Sequence, residues 1–384
     1  MKSSPTQVLF IDDSEDDVDL LTELISSAGI ELNSVRVDTP SALEASLAFQ
    51  KWDIVISDYS MPAFSGLEAL KIVMNLDQDI PFILLSGIVD EEVAIAAMRD
   101  GASDYIMKSR LKRLVPAIQR EIRESGVRKT RRRMLKELDD AKLIQSSFLP
   151  EPHHDFGAVE ISGHYEPASE CSGDCWYYCE NQNKIFFFVG DVTGHGVAAA
   201  LITSSIRSAF SVIESNVEMT TQNIIRIVNK AVYETYKGKV TMTFFVSSID
   251  KGSGEVSYCN ASHEPPFILK KGEGVPSKKD LVFLNITKNP PIGRSPDSHF
   301  NVSQINLEPG DLIFAHTDGL FDLKDPRGIS WGERNAYNGI LKSVAQSWSP
   351  KQIVGDLNSL VQEFRNETPL IDDVTFLVCA FKGE

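Results

Sequence analysis

The first 125 residues alternate short apolar runs with amphipathic stretches, and this alternation restricts the fold more than any other feature of the chain. The apolar runs lie at 8–11, 54–57, 82–85 and 104–107. Between the runs, apolar residues recur every three or four positions, as at Val18, Leu21 and Ile25, which predicts helices. Continuous apolar strands separated by helices are typical of a parallel sheet covered on both faces. Residues 1–125 are therefore predicted to form an α/β doubly wound parallel-sheet domain, with its functional crevice at the carboxyl ends of the strands.

A helical linker is predicted over residues 126–150. Gly126 and the basic run 128–133 interrupt the apolar stripe of the preceding helix, and Pro150 ends the helical pattern. A second apolar stripe consists of Met134, Leu138, Ala141, Ile144 and Phe148. A helix with such a stripe buries it against a neighbouring domain or against the same helix of a second subunit. One expectation is therefore a homodimer formed through the linker.

Residues 151–384 are predicted to form a separate α+β domain. The strand-like runs lie at 184–189, 243–249, 312–315 and 376–381, and the helical patterns lie at 198–213, 221–236 and 350–364. Ser349 followed by Pro350 has the form of a helix N-cap and a first-turn proline. A segment of about 230 residues is long enough to bury its own core.

The composition restricts the class of function. The net charge of −16 argues against nucleic-acid binding, because an acidic surface repels phosphate backbones, and the basic run 128–133 is interpreted as a solvated helix face. No apolar run approaches the roughly 20 residues of a membrane helix, and none near the start resembles a signal peptide. The expected location is the cytoplasm, without a membrane. The five cysteines are an odd number, which argues against a disulfide framework in that compartment.

Five polar residues follow the predicted strands of the first domain. Asp12 and Asp13 come after the run 8–11, Asp58 after 54–57, Ser86 after 82–85 and Lys108 after 104–107. All five therefore project into one crevice. Clustered carboxylates bind Mg²⁺, a carboxylate can attack a phosphoryl group, and a hydroxyl and a cation can hold the product phosphate.

These motifs make the first domain resemble the receiver domains of response regulators over its full length. The matching segments are Phe-Ile-Asp-Asp-Ser at 10–14, Ser-Asp-Tyr-Ser-Met-Pro at 57–62, with Gly66 downstream, Leu-Leu-Ser-Gly at 84–87 and Gly-Ala-Ser-Asp-Tyr-Ile-Met-Lys at 101–108. The resemblance implies that Asp58 is the phosphoacceptor, that Asp12, Asp13 and Asp58 hold Mg²⁺, and that a sensor histidine kinase is a partner. It also implies that Ser86 moves toward the phosphate and that Tyr105 repacks inward. Ser109 stands where most of the family has proline, and a cis bond is costly there without proline, so the local loop is expected to differ.

A second set of acidic residues lies in the C-terminal domain, in glycine-containing or paired contexts. Its members are Asp174 in Ser-Gly-Asp, Asp191 in Gly-Asp-Val-Thr-Gly-His-Gly, Asp318 in His-Thr-Asp-Gly, and the pair Asp372 and Asp373. Each context alone is also typical of a turn. Carboxylates gathered without histidine or cysteine partners select Mg²⁺ or Mn²⁺ rather than zinc. Two such ions can hold an attacking water and a phosphoryl oxygen for hydrolysis.

The order of these motifs resembles the PPM-type (type 2C) protein serine/threonine phosphatases, in their SpoIIE-like bacterial branch, from about Lys142 onward. Further matching segments are Ala-Lys-Leu-Ile-Gln-Ser-Ser-Phe-Leu-Pro at 141–150, Asn-Ala-Ser-His-Glu-Pro-Pro at 260–266, Pro-Pro-Ile-Gly at 290–293 and Glu-Pro-Gly-Asp at 308–311. The resemblance implies an α-β-β-α sandwich-like fold and two Mn²⁺ or Mg²⁺ ions. Their expected ligands are Asp174, Asp191, the backbone carbonyl of Val192, Asp318, and Asp372, with Asp373 as the alternative or a neighbour.

One segment departs from that family pattern, and the role of one histidine stays open. The run Cys-Trp-Tyr-Tyr at 175–178 lacks an acid that relatives often carry there, which is expected to affect the rim of the pocket. His195 has two interpretations, either a general acid for the leaving serine oxygen or a loop residue that supports the Gly-x-Gly turn.

The leading hypothesis is a response regulator whose receiver controls a metal-dependent phosphatase acting on a phosphoprotein, by resemblance an anti-sigma-factor antagonist. The alternative is a non-catalytic adaptor that binds a sigma factor or an anti-sigma factor. The presence of all four metal-binding carboxylates favours the enzyme, since an adaptor has no need of them. A DNA-binding regulator is disfavoured by the net charge and by the lack of a recognition-helix module.

Overall fold

The chain is described here by a computed structural model covering residues 5–77, 79–88, 90–194, 196–216, 219–272 and 274–383. It divides into two compact units, Met1–Lys136 and Glu137–Glu384. The division falls inside one long helix, α5 (Leu114–Ser146). The predicted linker 126–150 is therefore shared between the two units.

The N-terminal unit is built on a five-stranded parallel sheet. Its strands are β1 (Thr6–Ile11), β2 (Leu32–Val37), β3 (Ile54–Asp58), β4 (Phe82–Ser86) and β5 (Asp104–Met107). They lie in the order β2-β1-β3-β4-β5, and every pair is parallel. The other helices of this unit are α1 (Glu15–Ser27), α2 (Pro40–Phe49), α3 (Gly66–Leu76) and α4 (Glu91–Arg99). Buried apolar clusters lie on both faces of the sheet, which confirms the predicted doubly wound fold.

Helix caps place three of these helices directly after the loops at the strand ends. Ser14 caps α1 by accepting from the backbone N–H of Asp17, and Asp90 caps α4. Ser65 and Glu68 form a reciprocal capping box at the start of α3. Side-chain caps satisfy backbone N–H groups that have no partner within the helix, so each helix begins where its capping residue stands.

Helix α5 runs through Gly126 without a break, in line with the predicted helical linker. Ser125 donates a hydrogen bond of 2.5 Å to the carbonyl of Asp79, and Arg132 forms an ion pair of 2.6 Å with the Asp79 carboxylate. The basic run 128–133 is exposed, as expected for a solvated helix face. In the predicted apolar stripe, Met134 and Ile144 are each 59% exposed, whereas the other three members are half-buried.

The C-terminal unit stacks two antiparallel sheets. One sheet has the order β14-β11-β10-β9-β8 and the other has the order β13-β12-β15-β16-β7-β6. The strands are β6 (His153–Asp155), β7 (Val159–Glu166), β8 (Asp174–Asn181), β9 (Lys184–Val192), β10 (Met242–Asp250), β11 (Glu255–Ala261), β12 (Phe267–Leu269), β13 (Leu281–Phe283), β14 (Ser303–Asn306), β15 (Leu312–His316) and β16 (Val374–Phe381).

A helix pair covers the outer face of each sheet. The helices are α6 (Val197–Asn216) and α7 (Thr221–Tyr236) on the first sheet, and α8 (Gly332–Gln346) and α9 (Pro350–Arg365) on the second. A third apolar cluster, which includes Phe187, Phe245 and Leu377, lies between the sheets. This layering confirms the expected α-β-β-α sandwich. Pro350 occupies the first turn of α9 and Ser349 is its N-cap residue, although the Ser349 side chain makes no capping hydrogen bond.

One helix in the described part of the chain, over Val197–Ser215, is long and apolar enough to cross a membrane by length and composition alone. The expectation that no apolar run approaches this length was therefore wrong. In the folded unit, Ile202, Ile206 and Phe210 of this helix are fully buried in the cluster beneath it. Burial along one face is typical of a core helix in a folded domain.

Candidate functional sites

The first site lies at the carboxyl ends of β1 and β3. Carboxylate oxygens of Asp12, Asp13 and Asp58 lie within 4.8 Å of one another. Asp12 is 2% exposed, and its Oδ2 atom is buried without a hydrogen-bond partner. Burial raises the pKa of Asp12, and the neighbouring charge of Asp58 adds to this effect. A buried oxygen without a hydrogen bond, beside two further carboxylates, fits a divalent cation, since Mg²⁺ takes oxygen ligands of this kind.

Lys108 brings a positive charge to the same site. Its Nζ atom lies 3.2 Å from Asp58 Oδ1, 3.7 Å from Asp12 Oδ2 and 2.6 Å from Asp17 Oδ2. Burial alone lowers the pKa of Lys108, but its carboxylate partners outweigh burial and hold the pKa above its ordinary value. Asp17 was not expected at this site from the sequence. It lies in the first turn of α1, so its contact with Lys108 depends on the tertiary fold.

Ser86 and Tyr105 share one hydrogen-bond acceptor, the backbone carbonyl of Ile88. The Ser86 hydroxyl donates to it at 3.1 Å, and the Tyr105 hydroxyl also donates to it at 3.1 Å. A movement of Ser86 toward Asp58 would remove one of the two donors from that carbonyl. Ser109 lies in a 3₁₀ helix over Lys108–Arg113, and the described residues contain no cis peptide bond.

The second site lies in the C-terminal unit, where β8 begins and β9 ends. Asp174 and Asp191 are direct cross-strand partners. Asp174 is 2% exposed and accepts a hydrogen bond of 2.8 Å from the hydroxyl of Thr317. Gly173 packs so closely that a Cβ atom would lie 3.1 Å from the carbonyl oxygen of Val192. The expected backbone ligand Val192 is thus adjacent to the Asp174 loop.

Asp318 and Asp372 come to this site from the other sheet. Asp318 follows β15, and Asp372 lies two residues before β16, the strand that pairs with β15. Gly319 allows close approach there, because a side chain at this position would collide with the carbonyl of Asp373. The two sheets therefore bring together carboxylates that are far apart in the sequence.

Asp372 and Asp373 have different surroundings. Asp373 is 3% exposed, and its carboxylate accepts from the backbone N–H groups of Ala168 (2.8 Å) and Gly173 (2.7 Å). Asp372 is half-buried and accepts from the N–H of Asp373 at 2.8 Å. This geometry favours Asp372 as the metal ligand, with Asp373 as the residue that holds the 168–173 loop.

The electrostatics of the second site fit bound cations. Burial raises the pKa of Asp191 to about 7, and the charges of Asp318 and Asp372 contribute. Burial also raises the pKa of Asp174, with the charge of Asp191 as the next cause, and it raises that of Asp318. Within the described ranges, Asp174, Asp191 and Asp318 form no ion pair with lysine or arginine. Like charges gathered without a counter-cation disfavour their ionised form, and divalent cations would offset that repulsion.

The histidines near this site are not positioned as proton donors. Burial lowers the pKa of His263 to about 3 and that of His316 to about 4, so both are neutral at pH 7. His263 Nδ1 lies 2.9 Å from the hydroxyl of Thr243, and Asn260 bonds to both its backbone N–H and its carbonyl. His195 lies outside the described residues.

Comparison with known proteins identifies the family of each of the two domains. Residues 181–382 match the family described as Stage II sporulation protein E (SpoIIE), which is more than half of the chain. The chain belongs to the SpoIIE family. Residues 8–119 match the response regulator receiver domain, so the molecule is a receiver domain followed by a SpoIIE-type domain.

The chain is also similar to individual curated proteins and to a solved structure. Protein IcfG of Synechocystis sp. is 24% identical over 98% of this chain and 59% of its own length. The phosphoserine phosphatase RsbU of Bacillus subtilis is 25% identical over 63% of this chain and 69% of its own length. The SiaA-PP2C domain of Pseudomonas aeruginosa has a TM-score of 0.53 and 22% identity, and the match covers 66% of this chain and 98% of that one. At this identity the structural match shows a shared fold. The chain spans about three fifths of the length of IcfG.

Proposed function

We propose that this protein is a response regulator in which phosphorylation of Asp58 controls metal-dependent hydrolysis of phosphoserine or phosphothreonine on a partner protein. The observation that carries the proposal is the convergence of Asp174, Asp191, Asp318 and Asp372 from two sheets. Within that group, burial and the neighbouring carboxylates raise the pKa values of Asp174, Asp191 and Asp318, which fits a site for divalent cations. The name of RsbU, a phosphoserine phosphatase, supports the same reaction class.

Within the SpoIIE-type domain, Asp174, Asp191, Asp318 and Asp372 would hold two Mn²⁺ or Mg²⁺ ions, together with the carbonyl of Val192. Bound there, such ions supply an activated water and neutralise charge on the phosphoryl oxygens. Thr317 fixes one oxygen of Asp174, and Asp373 fixes the adjacent loop, so both act on the orientation of the ligands.

Within the receiver domain, Asp12, Asp13 and Asp58 would hold Mg²⁺, and the Asp58 carboxylate would accept a phosphoryl group from a sensor histidine kinase. Lys108 lies close enough to pair with the resulting phosphate, and Ser86 can supply a hydroxyl to it. We place this exchange in the cytoplasm. The proposed substrate is a phosphorylated protein of the partner-switching type, such as an anti-sigma-factor antagonist.

The phosphatase assignment is tested by Mn²⁺-dependent hydrolysis of a phosphoserine peptide and of an aryl phosphate. We expect turnover by the wild type and its loss in Asp318→Asn, because that variant removes one ligand charge from an exposed position. Circular dichroism of the variant should match that of the wild type. A wild-type protein without turnover on any phosphosubstrate would instead support the adaptor that binds a sigma factor or an anti-sigma factor.

The receiver assignment is tested with acetyl phosphate and Mg²⁺. We expect one phosphoryl group per chain, labile to hydroxylamine as an acyl phosphate is, and none on Asp58→Asn. Mapping the modification to a different residue would refute the role of Asp58.

A further inference from the structure

The last turn of α5 contains one buried polar side chain, Gln145, between exposed neighbours. Gln145 is 7% exposed, whereas Leu143 is 72% exposed and Ile144 is 59% exposed. Its Nε2 atom donates to the carbonyl of Ser172 at 2.7 Å and to the hydroxyl of Thr203 at 3.0 Å. Its Oε1 atom accepts from the backbone N–H of Ser172 at 3.0 Å. The amide thus pairs with both backbone groups of a single residue, much as a neighbouring strand would.

Ser172 is hydrogen-bonded to the backbone of Asp174, one of the proposed metal ligands. The Ser172 hydroxyl accepts from the backbone N–H of Asp174 at 3.0 Å. Gly173, between them, donates to Asp373 at 2.7 Å, and a Cβ at this position would lie only 2.8 Å from the carbonyl of Gly194. The short segment from Ser172 to Asp174 is therefore held at each residue, and Gln145 holds its first residue.

Thr203, on α6, makes the third hydrogen bond to the side chain of Gln145. Its hydroxyl donates to the carbonyl of Ala200 at 2.9 Å and therefore presents a lone pair to Gln145. With the donor of Thr203 already engaged, only the amide nitrogen of Gln145 can face it, and the amide oxygen must face the N–H of Ser172. The orientation of the amide is thus set by both partners.

We propose that Gln145 is a positioning residue for the metal centre: it sets the Ser172–Asp174 segment so that the carboxylate of Asp174 points to the cations. This inference rests on the proposed metal-dependent function. Residues that orient a metal ligand typically change metal affinity by about tenfold or more when they are removed. A residue that only fills a buried position would change stability and leave metal affinity as it was.

The test measures Mn²⁺ affinity by isothermal titration calorimetry on the full chain. All proteins carry Asp12→Asn and Asp13→Asn, so that the receiver site does not contribute to the signal. We expect Gln145→Ala to raise the dissociation constant for Mn²⁺ about tenfold or more. The Mn²⁺ concentration for half-maximal turnover should rise in parallel, and saturating Mn²⁺ should restore a large part of the activity. Ser146→Ala, at the exposed neighbouring position, is the control and should match the parent.

Two further measurements make the result decisive. Urea unfolding reports whether Gln145→Ala is folded. If it is not, Thr203→Val removes the hydrogen bond from Gln145, together with the one that the hydroxyl donates to Ala200, and should weaken Mn²⁺ binding a few-fold in the same direction. Normal Mn²⁺ affinity in a folded Gln145→Ala, or in Thr203→Val if that variant must be used, overturns the positioning role. Absence of Mn²⁺ binding and turnover in the parent protein would refute the proposed function itself, so the two failures are distinguishable.

Discussion

Asp372 and Asp373 are adjacent in the sequence, but their side chains have different surroundings in the fold. Asp373 accepts two backbone N–H groups at 2.7 and 2.8 Å in a buried position, whereas Asp372 is half-buried. The charges of both raise the pKa of Asp191, and that of Asp372 also raises the pKa of Asp318. Backbone hydrogen bonds to a charged acceptor contribute more than neutral ones, so their loss is expected to cost stability.

We therefore predict opposite effects for the two asparagine variants. Asp373→Asn should lower the free energy of unfolding by about 2 kcal/mol, because the amide can accept only one of the two N–H groups well. Asp372→Asn should weaken Mn²⁺ binding while leaving metal-free stability unchanged or slightly raised, because it removes repulsion from Asp191 and Asp318. Urea unfolding without metal and Mn²⁺ calorimetry measure the two effects. The reverse pattern would assign the ligand role to Asp373.

Single motifs in the sequence predicted the carboxylates, but not the residues that orient them. Asp174, Asp191 and Asp318 lie in short glycine-containing motifs that are recognisable in the sequence. Gln145 is hydrogen-bonded to Ser172, 27 residues away, and Thr317 is hydrogen-bonded to Asp174, 143 residues away. The polar partner of a buried group depends on which strands and helices become neighbours, and periodicity alone does not contain that information.

A buried histidine gives the C-terminal domain a predicted dependence of stability on pH. The pKa of His263 is lowered from 6.5 to about 3, mainly by burial. Above pH 6.5 the residue is neutral in both the folded and unfolded states. As the pH falls below 6.5, His263 binds a proton in the unfolded state but not in the folded state. The free energy of unfolding therefore decreases progressively until the pH reaches the folded pKa.

We predict that this residue alone lowers the free energy of unfolding by about 2 kcal/mol between pH 7 and pH 5. His263→Gln lacks the titrating group and should lose correspondingly less stability over that interval. The measurement is urea unfolding at both pH values, with exposed His154→Gln as the matched control. Identical pH dependence in wild type and His263→Gln would show that other groups account for the acid sensitivity.

At the scale of elements, the structure confirms those that bury a regular apolar pattern. The predicted helix 221–236 coincides with α7, and the predicted strand 104–107 coincides with β5. β2 was not located from its sequence because it is an edge strand with four consecutive exposed residues, so no apolar alternation marks it. Helix α5 passes through Gly126 despite the low helix propensity of glycine, and Ser125 and Arg132, on either side of it, both contact Asp79.

Helix α5 also leaves apolar side chains exposed in a single chain. Val127, Met134 and Leu135 are 65%, 59% and 46% exposed. Val127 and Met134 are separated by seven residues, as are Met134 and the half-buried Ala141, which is the spacing of one side of a coiled coil. This pattern supports the proposed homodimer through the linker.

We predict that Met134→Glu shifts the protein from dimer to monomer, because it places two like charges opposite each other in a parallel pair of helices. Lys136→Glu is the control, since residue 136 lies on a different face of the helix. Sedimentation velocity at several concentrations measures the shift. A monomeric wild type, or a Met134→Glu protein that sediments as a dimer, would contradict the proposal.

At the scale of the whole molecule, α5 is the element that both units contain. Its first part packs in the receiver core through Leu114 and Ile118, and its last turn holds the Ser172–Asp174 segment through Gln145. At the receiver end, Ser86 and Tyr105 share the carbonyl of Ile88, so a change at Asp58 that draws Ser86 away alters the hydrogen bonding of Tyr105. We propose this shared helix as the route between the two sites.

The final prediction tests that route at Leu138, which is half-buried and lies between the two ends of α5. Half-burial of a leucine contributes about 1 kcal/mol, which is enough to bias a two-state element about fivefold. Leu138→Asp should therefore bring the ratio of phosphatase activities with and without beryllofluoride close to one, while the metal ligands and the basal Mn²⁺-dependent turnover persist. Measuring that ratio for wild type, Leu138→Asp and Leu138→Met separates loss of an apolar contact from a general effect of substitution, since methionine preserves the apolar volume. If Leu138→Asp keeps the wild-type ratio, α5 is only a tether, and the signal passes through direct contact between the domains.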